Sequence, residues 1–340
     1  MRKASMLSWE HIWYQPSFLS ILLLPVAGVF AILAAARAAA YRIGLKKIHV
    51  MPVPVIVVGN ISAGGTGKTP LVLWLSEFLR EQGFAPGIIS RGYGGIGATR
   101  AVTENTDPAI AGDEPVMLAQ RSRCPVWIGH SRAAAAAGLL QTHPDCNVLI
   151  SDDGLQHLGL ARDLEIAVVD GARGLGNGRR LPAGPLREAA DRLAKVDAVV
   201  VNGELTARLP GAPRPLHMTL DGGECVNLLN PQFRAAASGF AGKQIHAIAA
   251  IGNPGRFFAH LQRLGLSFVG HPFPDHHAFV PSDLAFEDAD AVIMTEKDAI
   301  KCRRFALETH WYLPVEASVD PELGRIVLHK LKARHGSKTA

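Results

Sequence analysis

The stretch VPVIVVGNISAGGTGKT, residues 53–69, decides the fold. Residues 53–58 are Val, Ile and one Pro, a composition typical of a buried parallel strand. A glycine-rich turn follows, and Leu71, Leu75 and Leu79 then recur at helical spacing. Strand, glycine-rich turn and helix are the context in which a loop binds phosphate. The sequence therefore predicts a phosphate-binding loop at the carboxyl end of a strand.

The residue types in this turn suit a nucleotide. Glycines let successive backbone N–H groups point at phosphate oxygens, a Lys reaches the β- and γ-phosphates, and a hydroxyl group reaches Mg²⁺. Lys68 and Thr69 supply the last two groups. Ser62 stands where the common GxxxxGK[ST] pattern has its first Gly, and a glycine-rich turn with an exposed Lys is the alternative. The predicted nucleotide-binding residues are Ser62, Ala63, Gly64, Gly65, Thr66, Gly67, Lys68 and Thr69.

An acidic pair, Asp152 and Asp153, follows a second apolar run at 148–151. Open α/β sheets bind ligands at the carboxyl ends of their strands. A phosphate loop also needs a carboxylate from a nearby strand end to complete its Mg²⁺ site. We therefore predict that the pair and Thr69 hold Mg²⁺, although two Asp residues also occur in ordinary turns.

Three other clusters carry candidate residues. Asp113 opens a helix in GDEP, where it is either an N-cap or a carboxylate directed at a cleft. The Gly- and Pro-rich segment 174–188 ends in Arg187 and Glu188, which suit a transferring phosphate and a nearby metal ion. The segment PDHH at 274–277 has two histidines but lacks the other ligands of a zinc site.

Alternating elements predict the fold class. Short β-like runs alternate with helical ones and occupy 87–90, 125–129, 147–151, 164–169 and 198–201. This order predicts an α/β fold of the P-loop NTPase type, with a mostly parallel sheet flanked by helices. Runs at 245–251 and 289–294 predict a smaller second α/β domain beyond a Pro-rich break. The expected divisions are a membrane-anchoring region (1–45), a phosphate-loop domain (46–206), a linker (207–240) and the smaller domain (241–340).

Residues 11–36 contain no Asp, Glu, Lys or Arg, and 18–36 are almost wholly apolar. A helix of that length spans about 28 Å, close to one hydrocarbon core. Basic residues at 37, 42, 46 and 47 outnumber Arg2 and Lys3, which predicts that the body lies in the cytoplasm. The alternatives are a cleaved signal peptide, a buried helix interrupted by Pro25 and a helix lying in the membrane interface.

Composition narrows the function classes. Hydrophobic residues make up 48% and charged residues 19%, which argues against disorder. The net charge is 35 − 30 = +5, which favours anionic partners. Basic residues are scattered and aromatic residues are 6%, so a nucleic-acid surface is not expected. The four cysteines lack metal spacing and are expected to be reduced thiols.

The order of these motifs resembles the tetraacyldisaccharide 4′-kinase family of the lipid A pathway. The resemblance rests on GNIS at 59–62 before GGTGKT, SRGYGG at 90–95, GDEP at 112–115, DDGLQH at 152–157, LPAGPLRE at 181–188 and DHH at 275–277. It implies an inner-membrane enzyme with its active site at the cytoplasmic face. It also implies transfer of the γ-phosphoryl group of ATP, with Mg²⁺, to the 4′-hydroxyl of an acylated glucosamine disaccharide 1-phosphate, forming lipid IVA. The expected partners are this substrate and the membrane lipid surface, and no obligate protein partner is evident.

The resemblance also implies residue roles. Lys68 and Thr69 bind nucleotide phosphates and Mg²⁺. The residues around the metal are Asp152, Asp153 and Glu188. Asp113 forms the catalytic base with His276, while His277 stays open as the alternative. Arg187 stabilises charge on the transferring phosphate, and Arg91 is a weaker candidate for the lipid 1-phosphate.

Two other functions compete with the kinase. A membrane-associated P-loop ATPase switch also uses a GGxGKT loop, but those proteins carry a Lys where this chain has Ala63. A nucleotide-binding scaffold without catalysis is the other alternative. A GTPase is disfavoured because TEKD at 295–298 does not fit the guanine-reading NKxD pattern.

Overall fold

The computed structural model describes residues 9–93, 95 and 98–336. Arg2 and Lys3 lie outside these residues, as does Gly94 of the SRGYGG motif.

The α-helices are α1 (Trp9–Tyr14), α2 (Phe18–Leu22), α3 (Leu24–Arg42), α4 (Lys68–Glu81), α5 (Pro108–Ala111), α6 (Asp113–Arg121), α7 (Arg132–Thr142), α8 (Pro254–Arg263), α9 (Glu296–Cys302) and α10 (Pro321–Gly336). The strands are β1 (Val55–Gly59), β2 (Pro86–Ser90), β3 (Arg100–Val102), β4 (Val126–Ile128), β5 (Val148–Asp152), β6 (Leu164–Asp170), β7 (Ala198–Asn202), β8 (Leu216–Asp221), β9 (Glu224–Asn227), β10 (Arg234–Ala236), β11 (Ile245–Ala249), β12 (Val269–Pro272), β13 (Ala291–Thr295), β14 (His310–Leu313) and β15 (Glu316–Val319). Short 3₁₀ helices occupy Ala190–Lys195, Ala237–Phe240, Pro281–Asp283 and Arg303–Phe305.

Strand β1 occupies the centre of a nine-stranded sheet of order β15-β8-β7-β6-β1-β5-β2-β4-β3. Every neighbouring pair from β8 to β4 is parallel, whereas β3 and β15 are antiparallel edge strands. All residues of β1 are buried, as expected for a strand with helices on both faces of its sheet. The predicted mostly parallel α/β fold is confirmed.

The register of β1 brings the acidic pair to the phosphate loop. Val58, next to the end of β1, lies opposite Asp152 of β5. Helix α4 packs on the sheet through Leu71, Leu75 and Leu79, which have no exposed surface. The helix that follows the loop is thereby fixed against the same sheet that carries the carboxylates.

A second sheet has six strands in the order β10-β9-β14-β13-β11-β12. Strands β12, β11, β13 and β14 are parallel, and β9 and β10 are antiparallel to their neighbours. Its core is built around Phe240, Phe257 and Ile293 on one face and Phe279 and Met294 on the other. This is the smaller α/β unit that the sequence predicts.

The sheets do not follow the boundaries expected at 207–240 and 241–340. Strand β8 lies in the expected linker but belongs to the nine-stranded sheet, because its alternate residues Leu216 and Met218 enter that core. Strand β15 and helix α10 return to the same sheet, and Leu323 and Val327 pack in its core. The phosphate-loop unit is therefore discontinuous in sequence.

The apolar N-terminal run forms two helices separated at Leu23, with Pro25 in the first turn of the second. Helix α3 has 19 residues and a mean hydropathy of 1.7, and only 6% of its apolar window is buried. Within the described residues it is the one helix long and apolar enough to cross a membrane. Its exposure is opposite to that of a core helix in a soluble protein.

The short helices before α3 dock on the Gly- and Pro-rich segment 174–188. Trp13 Nε1 donates to the carbonyl of Pro182 at 3.0 Å. Ser20 is buried and its hydroxyl donates to the carbonyl of Ala183. Asn177 donates through Nδ2 to that carbonyl and to Ser20 Oγ, each at 2.9 Å. The N-terminal segment is thus fastened to the segment that ends in Arg187 and Glu188.

We expect Leu323→Ala to destabilise the phosphate-loop unit by about 2–5 kcal/mol, because it removes a fully buried side chain from that core. Denaturant unfolding of the purified protein measures this change. The control is Leu307→Ala, whose side chain is 59% exposed and whose loss is expected to cost less than about 0.5 kcal/mol. Equal effects of the two substitutions would contradict the packing of α10.

Candidate functional site

The phosphate loop has a fixed backbone shape. Gly67 has φ of 95°, which favours glycine, and an added Cβ would lie 2.3 Å from Asn202 Nδ2. Asn202, at the end of β7, donates through Nδ2 to the carbonyl of Thr66 at 3.1 Å. At the other end of the loop, the N–H of Ala63 donates to the carbonyl of Pro185 at 2.8 Å. Two separate elements therefore hold the loop.

The Lys68 ammonium group points back across the loop. Its Nζ donates to Asn60 Oδ1 at 3.2 Å and lies 3.4 Å from Asp153 Oδ1. Arg187 reaches the same carboxylate, with Nη1 3.1 Å from Asp153 Oδ2. Two cations thus converge on one carboxylate at the end of β5, and Thr69 lines the cleft beside them.

Asp152 and Asp153 are adjacent in sequence but have opposite electrostatic environments. Burial raises the pKa of Asp152, and the neighbouring Glu114 and Asp153 raise it further. Burial also acts to raise the pKa of Asp153, but Lys68 and Arg187 outweigh it and lower that pKa to about 2. Asp153 is therefore ionised throughout the neutral pH range.

The residues present fit a magnesium ion. Asp152 Oδ1 is buried and has no hydrogen-bond partner among the described residues, while Asp152 Oδ2 accepts from Ser90 Oγ at 3.2 Å. Among those residues no group of three or more His, Cys, Asp or Glu side chains forms a complete metal cage. Mg²⁺ commonly uses only one or two carboxylates together with substrate phosphates, so this donor set suits it.

Glu188 is bound by neighbouring side chains. Its Oε1 accepts from Gln156 Nε2 at 2.7 Å, and its Oε2 lies 3.3 Å from Arg192 Nε. Gln156 also accepts from Arg187 Nη1 at 3.4 Å. Glu188 is thus linked to Arg187 through Gln156, a contact that the sequence analysis does not predict.

The structure brings together Asp113, from the unit built on the nine-stranded sheet, and His276, from the unit built on the six-stranded sheet. Asp113 is the first residue of α6 and is 4% exposed, and its Oδ2 lies 3.4 Å from His276 Nδ1. The N-cap of α6 is Gly112, so Asp113 is not the cap. His277 instead contacts Asp283, with Nε2 2.9 Å from Oδ2. His276, rather than His277, therefore faces the Asp113 carboxylate.

The pair is electrostatically coupled. Burial acts to raise the pKa of Asp113, but the close contact with His276 and the charge of Lys297 outweigh it and lower that pKa to about 2. The close contact with Asp113 raises the pKa of His276. At neutral pH Asp113 is an anion, and His276 is the member of the pair that can change charge.

A cleft of about 530 Å³ extends from the phosphate loop to His276. It is lined by the phosphate loop from Gly64 to Thr69, by Asp153 and Arg187, and by His276 from the second unit. This volume is in the range of small-molecule sites. Arg91 is exposed and does not line the cleft, whereas Tyr93 does and its ring centroid lies 5.3 Å from that of His276.

Two further residues escaped the sequence reasoning. Lys297 lies in TEKD, a segment that the sequence marks only by its poor fit to the guanine-reading pattern, and its Nζ is 3.0 Å from Glu114 Oε1. Gly252 follows β11 and lies against the loop, where an added Cβ would be 2.4 Å from the backbone nitrogen of Gly65. Both contacts cross between the two units, so no local pattern shows them.

Comparison with known proteins agrees with this geometry. The model of the family described as "Tetraacyldisaccharide-1-P 4'-kinase" matches residues 19–332. The chain belongs to this family. A tetraacyldisaccharide 4′-kinase from Methylobacillus flagellatus is 49% identical over 323 residues, 95% of each chain. One from Chromobacterium violaceum is 51% identical over 338 residues, covering 96% of this chain and 98% of that one.

A solved structure extends the match to three dimensions. LpxK from Aquifex aeolicus, crystallised in complex with ATP, is 29% identical with a TM-score of 0.78. The match covers 92% of this chain and 100% of that one. As a member of the tetraacyldisaccharide-1-P 4′-kinase family, the chain is an enzyme that uses ATP with Mg²⁺, and the ATPase switch is not favoured.

We expect Gly252→Ala to weaken ATP binding roughly tenfold, about 1.4 kcal/mol, because the added methyl group displaces the amide of Gly65. Calorimetric titration with Mg-ATP measures the affinity. Gly255→Ala is the control, because a Cβ there has its nearest neighbour at 3.6 Å. ATP affinity of Gly252→Ala equal to that of the control would contradict the close contact between the units.

Proposed function

We propose that the cleft between the two units transfers the γ-phosphoryl group of ATP to the 4′-hydroxyl of a tetraacyldisaccharide 1-phosphate, forming lipid IVA. The observation that carries this proposal is that one cleft is lined by a phosphate loop in one unit and by His276 of the other, whose imidazole lies 3.4 Å from the buried Asp113 carboxylate. Phosphoryl transfer depends mainly on positioning and charge neutralisation, which this arrangement provides.

The nucleotide end of the cleft uses the loop from Ser62 to Thr69. Its amides and Lys68 bind the phosphates, and Thr69, Asp152 and Asp153 would hold Mg²⁺, with Glu188 nearby. When bound, Mg²⁺ neutralises charge on the β- and γ-phosphates. Arg187 lies beside Asp153 and is placed to stabilise charge on the transferring group. Arg91 stays a prediction for the lipid 1-phosphate, from a position outside the cleft lining.

The acceptor end uses Asp113 as the base. The 4′-hydroxyl donates a hydrogen bond to the carboxylate, its oxygen forms the new bond to phosphorus, and the bond to the β,γ-bridging oxygen breaks with its electron pair leaving on ADP. The hydroxyl proton passes to Asp113 and can move on to His276, which lies 3.4 Å away. A carboxylate with a pKa of about 2 is a weak base, which is adequate when the hydroxyl loses its proton late in a loose transition state.

Helix α3 is proposed to attach the enzyme to the cytoplasmic face of the inner membrane. Its exposed apolar surface includes Val29, Ile32 and Leu33, and Arg37 and Arg42 follow on its C-terminal side. An acylated substrate stays in the bilayer, so the enzyme has to reach the membrane surface. The anionic lipid headgroups there match the net charge of +5.

The direct test is phosphorylation of the lipid. We expect the purified protein with Mg-[γ-³²P]ATP to label a tetraacyldisaccharide 1-phosphate in detergent micelles. Product analysis should place the new phosphate on the 4′ oxygen. Stoichiometric release of free phosphate without labelled lipid would instead support the ATPase switch.

Substitutions at the two ends of the cleft are expected to affect ATP binding and the chemical step differently. Lys68→Ala is expected to weaken ATP binding and to remove most turnover. Asp113→Asn is expected to lower kcat by about 100-fold or more while ATP affinity stays near that of the wild type, because a base contributes only to the chemical step. Steady-state kinetics and ATP titration measure both. The control Asp107→Asn alters an exposed helix cap nearby, and a kcat of Asp113→Asn as high as this control would refute the base assignment.

Charges on α3 are expected to release the enzyme from membranes. The double variant Val29→Glu/Leu33→Glu changes side chains that are 58% and 65% exposed, and each charge costs about 2.5–3.5 kcal/mol near the centre of a membrane helix. Flotation with phosphatidylglycerol-containing vesicles measures binding. Val280→Glu/Leu307→Glu, on the second unit, is the matched control and should still float. Flotation of both variants would refute attachment through α3.

A further inference from the structure

Lys297 lies where the two units meet around Asp113. It is the second residue of α9, and its side chain is 15% exposed. Its Nζ is 3.0 Å from Glu114 Oε1, 3.7 Å from Asp275 Oδ1 and 3.8 Å from Asp113 Oδ2. One ammonium group therefore faces three carboxylates that come from α6 and from the loop after β12.

The position of Lys297 on its own helix does not explain its presence. The N-terminal turn of a helix disfavours a cation, because the helix dipole is positive there. Lys301, one turn further on, lies 4.0 Å from Asp113 but only 2.8 Å from the fully buried Asp298 of α9. The charge of Lys301 is thus balanced within α9, whereas Lys297 balances carboxylates outside it.

The balance between the Lys297 ammonium group and these carboxylates affects the protonation of His276. Its imidazole is faced by Asp113 at 3.4 Å, by Asp275 at 3.9 Å, by the ring of Tyr93 and by the charge of Lys297. The close contact with Asp113 raises the pKa of His276, and burial and Lys297 act in the opposite direction. Without Lys297, the carboxylates of Asp113 and Asp275 would face the imidazole without its nearest cation and would favour a proton on it.

We propose that Lys297 is a positioning residue for phosphoryl transfer, which balances the carboxylates around the Asp113–His276 pair so that the imidazole can exchange a proton near neutral pH. The proposal rests on the proposed function. With Lys297 absent, His276 would stay protonated to higher pH and pair with Asp113 as imidazolium, and the carboxylate would be less able to accept a hydrogen bond from the sugar hydroxyl. Lys297 would act through Asp113 and His276 without touching the reacting atoms.

The test compares charge removal with charge retention at one position. Lys297→Met is expected to lower kcat about tenfold or more with little change in the KM for ATP. It should also raise the pKa of His276 by roughly one unit, because a nearby positive charge is lost. Histidine NMR titration of the full-length protein in detergent, assigned with His276→Asn, measures that pKa. The limb of the activity–pH profile that reports His276 should move in the same direction, and Lys297→Arg should restore both values.

Arg121→Met supplies the matched control. Arg121 joins the same two helices, with Nη1 2.7 Å from Glu296 Oε2, but it contacts neither Asp113 nor His276 in the described structure. Its loss is expected to leave the pKa of His276 unchanged. If Lys297→Met also leaves this pKa unchanged, Lys297 only docks the units and the proposal is overturned.

A second variant and a measurement without substrate distinguish failure of the Lys297 proposal from failure of the proposed function. Lys297→Gln is titrated in the same way if Lys297→Met does not fold, and circular dichroism establishes folding in each case. The NMR titration needs no lipid. A wild-type enzyme that leaves the disaccharide unlabelled would defeat the proposed function, whereas an unshifted pKa of His276 would defeat the role of Lys297.

Discussion

The Asp113–His276 pair exists only because two separately built sheets are docked together. Asp113 begins a helix that packs on the nine-stranded sheet, and His276 follows β12 of the six-stranded sheet. The contacts between the units include the ion pairs Arg121–Glu296 and Arg256–Asp170 at 2.7 and 2.6 Å. Partly buried ion pairs add little net stability once desolvation is counted, but a misaligned pair leaves an unpaired buried charge. Such contacts therefore specify how the units align more than how firmly they adhere.

The sequence predicts the nucleotide end of the site better than the acceptor end. The phosphate loop and Asp152 follow from local patterns, because hydrophobic runs mark the strands and parallel strands gather their carboxyl ends at one edge. The contact of Lys297 with Glu114 spans 183 residues, so no periodicity encodes it. The return of β15 and α10 to the first sheet is also a contact between residues distant in sequence, so no local pattern predicts it. His276 and His277 are neighbours in the chain, and only the backbone, with φ of 60° at His276, directs the first toward Asp113.

The charges at the nucleotide end are arranged before any phosphate arrives. Lys68 and Arg187 both contact Asp153, so the carboxylate holds two otherwise repelling cations within reach of the loop amides. Preorganised charges of this kind need little rearrangement during the reaction. The neighbouring Asp152 differs because it is buried and accepts a hydrogen bond from Ser90, and neither cation forms an ion pair with it among the described residues. The two adjacent aspartates thus differ in their contacts: Asp153 is paired with two cations, whereas Asp152 has one buried oxygen without a hydrogen-bond partner among the described residues.

The segment 174–188 connects the apolar helices to the chemistry. Asn177 near its start binds the carbonyl of Ile12 and the hydroxyl of Ser20, while Arg187 at its end contacts Asp153. The segment also bonds to the phosphate loop, through the carbonyl of Pro185 and a bridge between Leu186 and Ser62. A side chain of the N-terminal helices and a side chain of the phosphate site are therefore separated by one short, hydrogen-bonded loop. A helix seated in the membrane would consequently set the height of the cleft above the bilayer, which a lipid-bound hydroxyl group has to reach.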